Sequence, residues 1–225
     1  MITFDKVTKK FPLGNSALED LSFEIEDNEF VFLVGPSGAG KTTILKMLIR
    51  EIIPTSGSIL IDDFDLSEKK FNKLEKLRRK IGVVFQDFRI LPDKNIFENI
   101  ALGLQVINSP ISFIKKEVRN TLKLVNLENK EKMFPVQLSA GELQRVAIAR
   151  AIAGDRKIII ADEPTGNLDL KTTWDIMKIF RKIEGKKTII IATHNPDIVN
   201  SLKKRVLSMK QGKLINDARK GDYQI

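Results

Sequence analysis

The chain opens on two segments, "ITFDKVTKKF" and "LEDLSFEIED", in which apolar and polar residues alternate. A period of two buries one face and wets the other, so each segment predicts a half-buried antiparallel strand. The pattern changes at "EFVFLVG" (29–35), a continuous apolar run that predicts a strand buried on both faces. It changes again at "KTTILKMLIREI" (41–52), where Ile44, Leu45, Leu48, Ile49 and Ile52 share one side of a helix. "SGSILIDD" reads as a turn and short strand, and "KIGVVFQ" as a buried strand ending at Gln86. Residues 96–134 carry no strand pattern and predict helices interrupted near "NSPIS", within a helical subdomain spanning about 88–155. "KIIIADEP" and "KKTIIIATHNP" add two buried strands with polar ends, and "TTWDIMKIFRKIE" is the helix between them. Strands alternating with helices predict an α/β fold with a mostly parallel central sheet, whose ligand site lies at the carboxyl ends of its strands.

Composition narrows this picture without redirecting it. A chain of 225 residues, 42% hydrophobic and 30% charged, suits one large globular domain. No apolar run reaches the roughly 18 residues of a membrane-spanning helix, and "MITFDKVTKK" is not a signal peptide. With no cysteine, disulfides and thiolate metal sites are excluded, as suits a reducing cytoplasm. The net charge of +9 favours anionic partners, but the basic clusters, such as "RRK" (78–80) and "KKR" (203–205), are short. They lack the interleaved aromatics of a single-strand nucleic-acid groove, so no nucleic-acid partner is expected.

Chemistry concentrates first in "GPSGAGKT" (35–42), which fits the phosphate-loop pattern between a buried strand and a helix. The candidate nucleotide-binding residues are Gly35, Pro36, Ser37, Gly38, Ala39, Gly40, Lys41, Thr42 and Thr43. The glycines let backbone N–H groups close around phosphates, Lys41 reaches the β- and γ-phosphates, and Thr42 offers its hydroxyl to Mg²⁺. "IIIADE" (158–163) delivers two carboxylates at the end of a strand. Asp162 can enter the Mg²⁺ shell, and Glu163 can take a proton from an attacking water. That pairing favours hydrolysis, although these two motifs alone leave a P-loop kinase open. The only histidine, His194, ends a strand parallel to that of the phosphate loop and points at the phosphates. Phe11 either stacks on adenine or packs against the body of the protein.

"LSAGELQRVAIARA" (138–151) is a helix start with a capping box, Ser139 and Glu142 each satisfying an orphan N–H. A cap needs no glycine, yet Gly141 stands in the first turn, where glycine costs about 1 kcal/mol against alanine. Helix N-termini attract anions, which leaves open why a bare backbone stands at this one.

Taken in order, these motifs resemble those of the ATP-binding-cassette (ABC) ATPases over nearly the whole chain. The resemblance implies a P-loop NTPase core with an antiparallel β subdomain and a helical subdomain. It implies that Gln86 marks the Q-loop, joining the Mg²⁺ site with Thr42 and Asp162, and that Glu163, Gln86 and His194 are catalytic. "LSAGE" would be the family signature, so that Ser139, Gly141 and Glu142 of one chain cover the ATP held by a second chain in a homodimer. Ala140 departs from the family's L-S-G-G-[QE], which is harmless unless its φ is positive. Asn167 and Asp169 in "TGNLD" are a variant of the loop after the acids.

Within that family, "VVFQDFRILPDKNIFENIAL" (83–102) resembles the cell-division branch, with "DFR" after Gln86 as the discriminating piece. That implies an ATPase held at the inner face of the cell membrane by an integral membrane partner and controlling cell-wall hydrolases, with no solute necessarily crossing. Phe85, Phe88, Ile90 and Leu91 either pack in the core or form an apolar groove for a helix of that partner, with Phe88 and Leu91 favoured for the groove. The alternatives are the ATPase of a lipoprotein-releasing or macrolide exporter, or a nucleic-acid-dependent ATPase. The last inserts a long coiled coil, for which residues 43–137 are too few.

Overall fold

The alternating segments form β1 (Ile2–Lys10) and β2 (Ser16–Ile25), paired antiparallel. The computed structural model describes residues 1–12, 16–166 and 168–223. β1 also pairs with β4 (Ser56–Ile61), and β4 with the two-residue β5 (Phe64–Asp65), giving the sheet order β2-β1-β4-β5. All these pairings are antiparallel, as the period-two pattern requires.

The second sheet contains β3 (Phe30–Val34), β6 (Ile81–Val84), β7 (Ile158–Asp162) and β8 (Thr188–Thr193), which run parallel. Its order is β10-β9-β3-β8-β7-β6. The continuous apolar runs are explained by two cores, one on each face. Phe30, Phe32 and Val34 of β3 point into one, and Val31 and Leu33 into the other. β8 divides likewise, with Ile189 and Ile191 facing the first core and Ile190 and Ala192 the second. The second core is shared with the antiparallel sheet through Ile2, Phe4 and Ile59.

The first core is closed by helices that follow β6 in the chain: α3 (Ile96–Val106), α4 (Ile111–Leu124) and α5 (Ala140–Ile152). α3 and α5 both start with capping boxes, Asn95 with Glu98 and Ser139 with Glu142. α6 (Leu170–Ile183) supplies Ile176, Ile179, Phe180 and Ile183 to the same core.

Several expectations need correction. The helix after the phosphate loop, α1 (Lys41–Leu48), stops four residues before Ile52, the expected end of the helix. Arg50 takes a left-handed φ of 52° there, and its N–H bonds the Met47 carbonyl, the way helices commonly end. Gln86 does not end a strand: β6 stops at Val84, and Gln86 stands exposed in the following turn. Further elements, α2 (Leu74–Lys80), α7 (Pro196–Leu202), β9 (Arg205–Lys210) and β10 (Lys213–Ala218), were not expected. β9 lies parallel beside β3, so the strand that feeds the phosphate loop is interior to the sheet.

Candidate active site

Gly35 follows β3 directly, and Gly40 caps α1 with a φ of 104°. A side chain on Gly40 would also meet Leu18 at 2.7 Å and the Ala17 carbonyl at 2.8 Å, so glycine is needed there twice over. The loop turns back so that Lys41 Nζ donates to the carbonyls of Gly35 (2.7 Å) and Pro36 (3.1 Å). Burial pulls the Lys41 pKa below the usual lysine range, against the opposing influence of the Glu163 and Asp162 charges.

Pro36, Ser37, Gly38, Ala39, Gly40, Lys41, Thr42 and Thr43 line one cavity of about 580 Å³. Gln86, Asp162, Glu163 and His194 line the same cavity, brought there by the ends of β6, β7 and β8. Parallel strands with apolar bodies and polar tips gather their chemistry at one edge, as expected for this topology.

Burial pushes the Asp162 carboxyl pKa up, with the neighbouring Glu163 adding to it and the Thr42 hydroxyl opposing it. An oxygen-seeking cation beside it would restore the carboxylate. Asp162, Thr42 and the Gln86 amide are hard oxygen donors, and Mg²⁺ is ordinarily held by one or two carboxylates, waters and substrate phosphates. The residues therefore fit the ion, and among the described residues no cluster of three or more His, Cys, Asp or Glu offers it another site.

Glu163 has a left-handed φ of 46°, and its N–H bonds the Ala192 carbonyl of β8. Its Oε1 lies 2.8 Å from His194 Nδ1. A carboxylate opposite Nδ1 makes that nitrogen the protonated one and leaves Nε2 facing outward. The Glu163 side chain is largely covered and that of His194 largely exposed, so one carboxylate is fixed by a partner that also reaches solvent.

Other expected residues stand elsewhere. Phe11 is 40% exposed, lies beneath the Lys9 ammonium at 5.4 Å, and is not among the residues lining the cavity. Ser139, Gly141 and Glu142 also lie outside their own chain's phosphate cavity. The Ser139 hydroxyl accepts from Glu142 N–H at 3.3 Å, and Glu142 accepts from Ser139 N–H at 2.9 Å. The Lys130 hydrogen bond, with those from Ser139, holds the Glu142 carboxyl below the usual range. Ala140 is the first helical residue and has no positive φ, so alanine is unstrained there. Gly141 has a reason within the chain too: a Cβ on it would come 2.5 Å from Thr172 Cγ2 of α6. Asp169 caps α6, accepting from Thr172 N–H at 3.0 Å, whereas Asn167 lies outside the described residues.

Two further residues line the phosphate cavity, Ala17 and Tyr223. Tyr223 N–H bonds Asn200 Oδ1 at 2.7 Å, and burial together with the Glu163 charge raises its phenol pKa. Neither carries a motif, and only the tertiary return of β2 and of the C-terminal segment brings them in. A separate groove of about 750 Å³ is lined by Leu74, Phe85, Leu102 and Val106 among others, with Arg78, Arg79, Arg89, Arg150 and Arg156 around it. Phe88 and Leu91, expected in such a groove, are not among its lining residues. Ile90 instead packs against the first core.

This phosphate loop, with paired carboxylates and a histidine at the strand tips, defines a P-loop ATPase site. The chain belongs to the ABC transporter family, whose model matches residues 18–166, and it is one of the family's ATPases. Among its relatives is the "Cell division ATP-binding protein FtsE" of Bacillus subtilis (strain 168), 49% identical over 224 residues and covering 99% of this chain and 98% of that one. Among the solved structures it resembles is a dimeric ABC transporter cassette, MJ0796, with a TM-score of 0.88 and 35% identity, covering 99% of this chain and 100% of that one. The same cassette bound to ADP and Pi in a post-hydrolysis state also matches with a TM-score of 0.88, at 34% identity and the same coverage.

Proposed function

We propose that this ATPase works as a homodimer closed around two ATP molecules, in which the α5 start of one chain covers the phosphates held by the other. The observation that carries this reading is the separation of Ser139 and Gly141 from their own chain's phosphate cavity. A capped helix start with a bare backbone is suited to anions, and an opposing chain can supply the phosphate. Within each site, Lys41 and the N–H groups of the loop hold the phosphates. Thr42, Asp162 and Gln86 would hold Mg²⁺, which when bound neutralises charge on the β- and γ-phosphates. Glu163 accepts the proton of the attacking water, and His194, bonded to it through Nδ1, fixes its orientation and stands by the γ-phosphate.

The similarity to FtsE supports a cell-division role, in which closure of the dimer is transmitted through an FtsX-like integral membrane protein to cell-wall hydrolases. The arginine-rimmed apolar groove is suited to a segment of that partner. The chain would then sit at the cytoplasmic face of the membrane through its partner.

Complementation tests the shared site. Chains carrying Lys41→Ala and chains carrying Ser139→Arg should each be nearly inactive alone. Mixed, they place both lesions in one composite site and leave the other intact, so ATP hydrolysis should reappear. A mixed dimer, confirmed by pull-down of two tags, that stays inactive would overturn the proposal, as would full activity of Ser139→Arg by itself.

A further inference from the structure

The turn after Gln86 is bent in an unusual way. Phe88 and Arg89, both with side chains, take left-handed φ values of 59° and 47°. Bulky residues visit that region rarely, and persist there only where the surroundings hold them. The turn's own bonds are Phe88 N–H to the Phe85 carbonyl at 3.3 Å and Arg89 N–H to the Asp87 carbonyl at 2.6 Å. The Arg89 guanidinium lies over the Phe85 ring at 3.8 Å. What grips the bend from outside is Arg150 of α5. Its guanidinium donates Nη2 to the Phe88 carbonyl at 2.7 Å and Nη1 to the Arg89 carbonyl. Burial, and then the nearby Arg89 charge, lower its pKa, and among the described residues no carboxylate pairs with it. A partly buried arginine is thus committed to two consecutive carbonyls of a strained turn. A planar fork suits that arrangement, and a lysine ammonium does not.

We infer that Arg150 is a positioning residue for ATP hydrolysis, holding the turn after Gln86 in its left-handed form and tying it to α5, the helix that begins at Ser139. Arg150 and Arg89 also line the apolar groove, so one guanidinium meets the Q-loop turn, the signature helix and the partner surface. Displacement of α5 is then passed to Gln86 through two hydrogen bonds, and the reverse holds as well. The inference rests on the reading that Gln86 serves the metal site.

The test compares Arg150→Met, Arg150→Lys, Gln86→Ala and the double variant Arg150→Met/Phe88→Asn in the full chain. ATP affinity, kcat, the Mg²⁺ concentration giving half-maximal rate and melting temperature are measured for each. Arg150→Met should lower kcat tenfold or more and raise the Mg²⁺ requirement several-fold, with ATP affinity within threefold of the parent. Arg150→Lys should recover part of the rate. Asparagine tolerates the left-handed region, so Phe88→Asn should restore the bend and several-fold of the rate lost in Arg150→Met. A brace that only stabilised the fold would move the melting temperature and leave the Mg²⁺ requirement alone. Parental kcat and Mg²⁺ dependence in Arg150→Met would overturn the inference, as would a loss that Phe88→Asn leaves unrepaired. If Gln86→Ala leaves rate and Mg²⁺ dependence unchanged, the role of Gln86 fails and the inference falls with it. If Gln86→Ala lowers them and Arg150→Met does not, the inference alone fails.

Discussion

At the scale of single residues, Gly141 has a packing reason to be glycine and, in the proposed dimer, a second one, and they can be separated. Within the chain, a methyl there would meet Thr172 Cγ2 at 2.5 Å, and Thr172 is held in place because its hydroxyl donates to the Asp169 carboxylate. Overpacking of this kind typically costs about 1–3 kcal/mol. Gly141→Ala should therefore lower the melting temperature, and Thr172→Ser, which removes the obstructing methyl, should restore it in the double variant. If the backbone at 141 also meets a phosphate of the second chain, the repaired double variant should stay slow in turnover. Full recovery of both quantities would leave the glycine with its packing role alone. A second residue, Asp162, carries a pH signature. Burial raises its folded pKa above the usual carboxylate range, so the folded state binds its proton more tightly than the unfolded state. The penalty of ionising it is absent below the unfolded pKa and fully present above the folded one. Asp162→Asn should therefore raise the nucleotide-free melting temperature at pH 7, with the gain fading as the pH falls through the folded pKa and gone below the unfolded one. Melting curves from pH 3.5 to 7 in chelator check this, and a variant less stable than the parent at pH 7 would contradict it.

At the scale of elements, β9 shows what the pattern conceals. Its "RVLSMK" begins with a charge and holds a serine, so it lacks the signature of "EFVFLVG", yet its first five residues are buried. The charge is accommodated because Arg205 pairs with Glu29, far away in sequence, at 2.9 Å and with Asp217 of the following strand β10 at 2.7 Å. Those two hydrogen-bonded carboxylates push the Arg205 pKa up despite burial. Removing one partner of a buried ion pair typically costs about 3–5 kcal/mol. Arg205→Met should lower stability by that order in urea unfolding, and loss of ATP binding should accompany it, because the Met209 carbonyl of β9 packs against Gly35. A change below about 1 kcal/mol would show that the pair is dispensable. The strands with uniform apolar runs, the capping box at Ser139 and the phosphate loop were legible because each rests on local spacing. The burial of Arg205 and the entry of Tyr223 into the phosphate cavity depend on contacts between distant segments, which no local window contains. Phe88 and Leu91 do not line the arginine-rimmed groove, to which this segment contributes Phe85 instead.

At the scale of the whole molecule, the proposed attachment to a membrane has to be weighed against a net charge of +9, which could by itself draw the chain to anionic lipid. Among the described residues no helix is long and apolar enough to cross one. Basic residues near an anionic bilayer contribute about 1 kcal/mol each, screened over about 8 Å at physiological salt. The groove offers a different kind of contact. Leu102 is 37% exposed and Val106 68% exposed on its wall, and Arg78, Arg79, Arg89 and Arg156 stand around this apolar surface. An amphipathic segment with acidic residues on its rim would bury the apolar part and pair its carboxylates with the arginines. Rim charges chiefly set association rate and salt dependence, while buried apolar contact resists salt. Flotation with anionic vesicles should therefore give two distinct curves. Binding to bare vesicles should vanish as salt rises. Binding to vesicles carrying the membrane partner should weaken but persist, and Val106→Glu together with Leu102→Glu should remove the persistent part while leaving ATP affinity within threefold. Salt-resistant binding to bare vesicles would show that the chain has its own affinity for lipid, and partner-dependent binding untouched by the two glutamates would place the docking surface elsewhere.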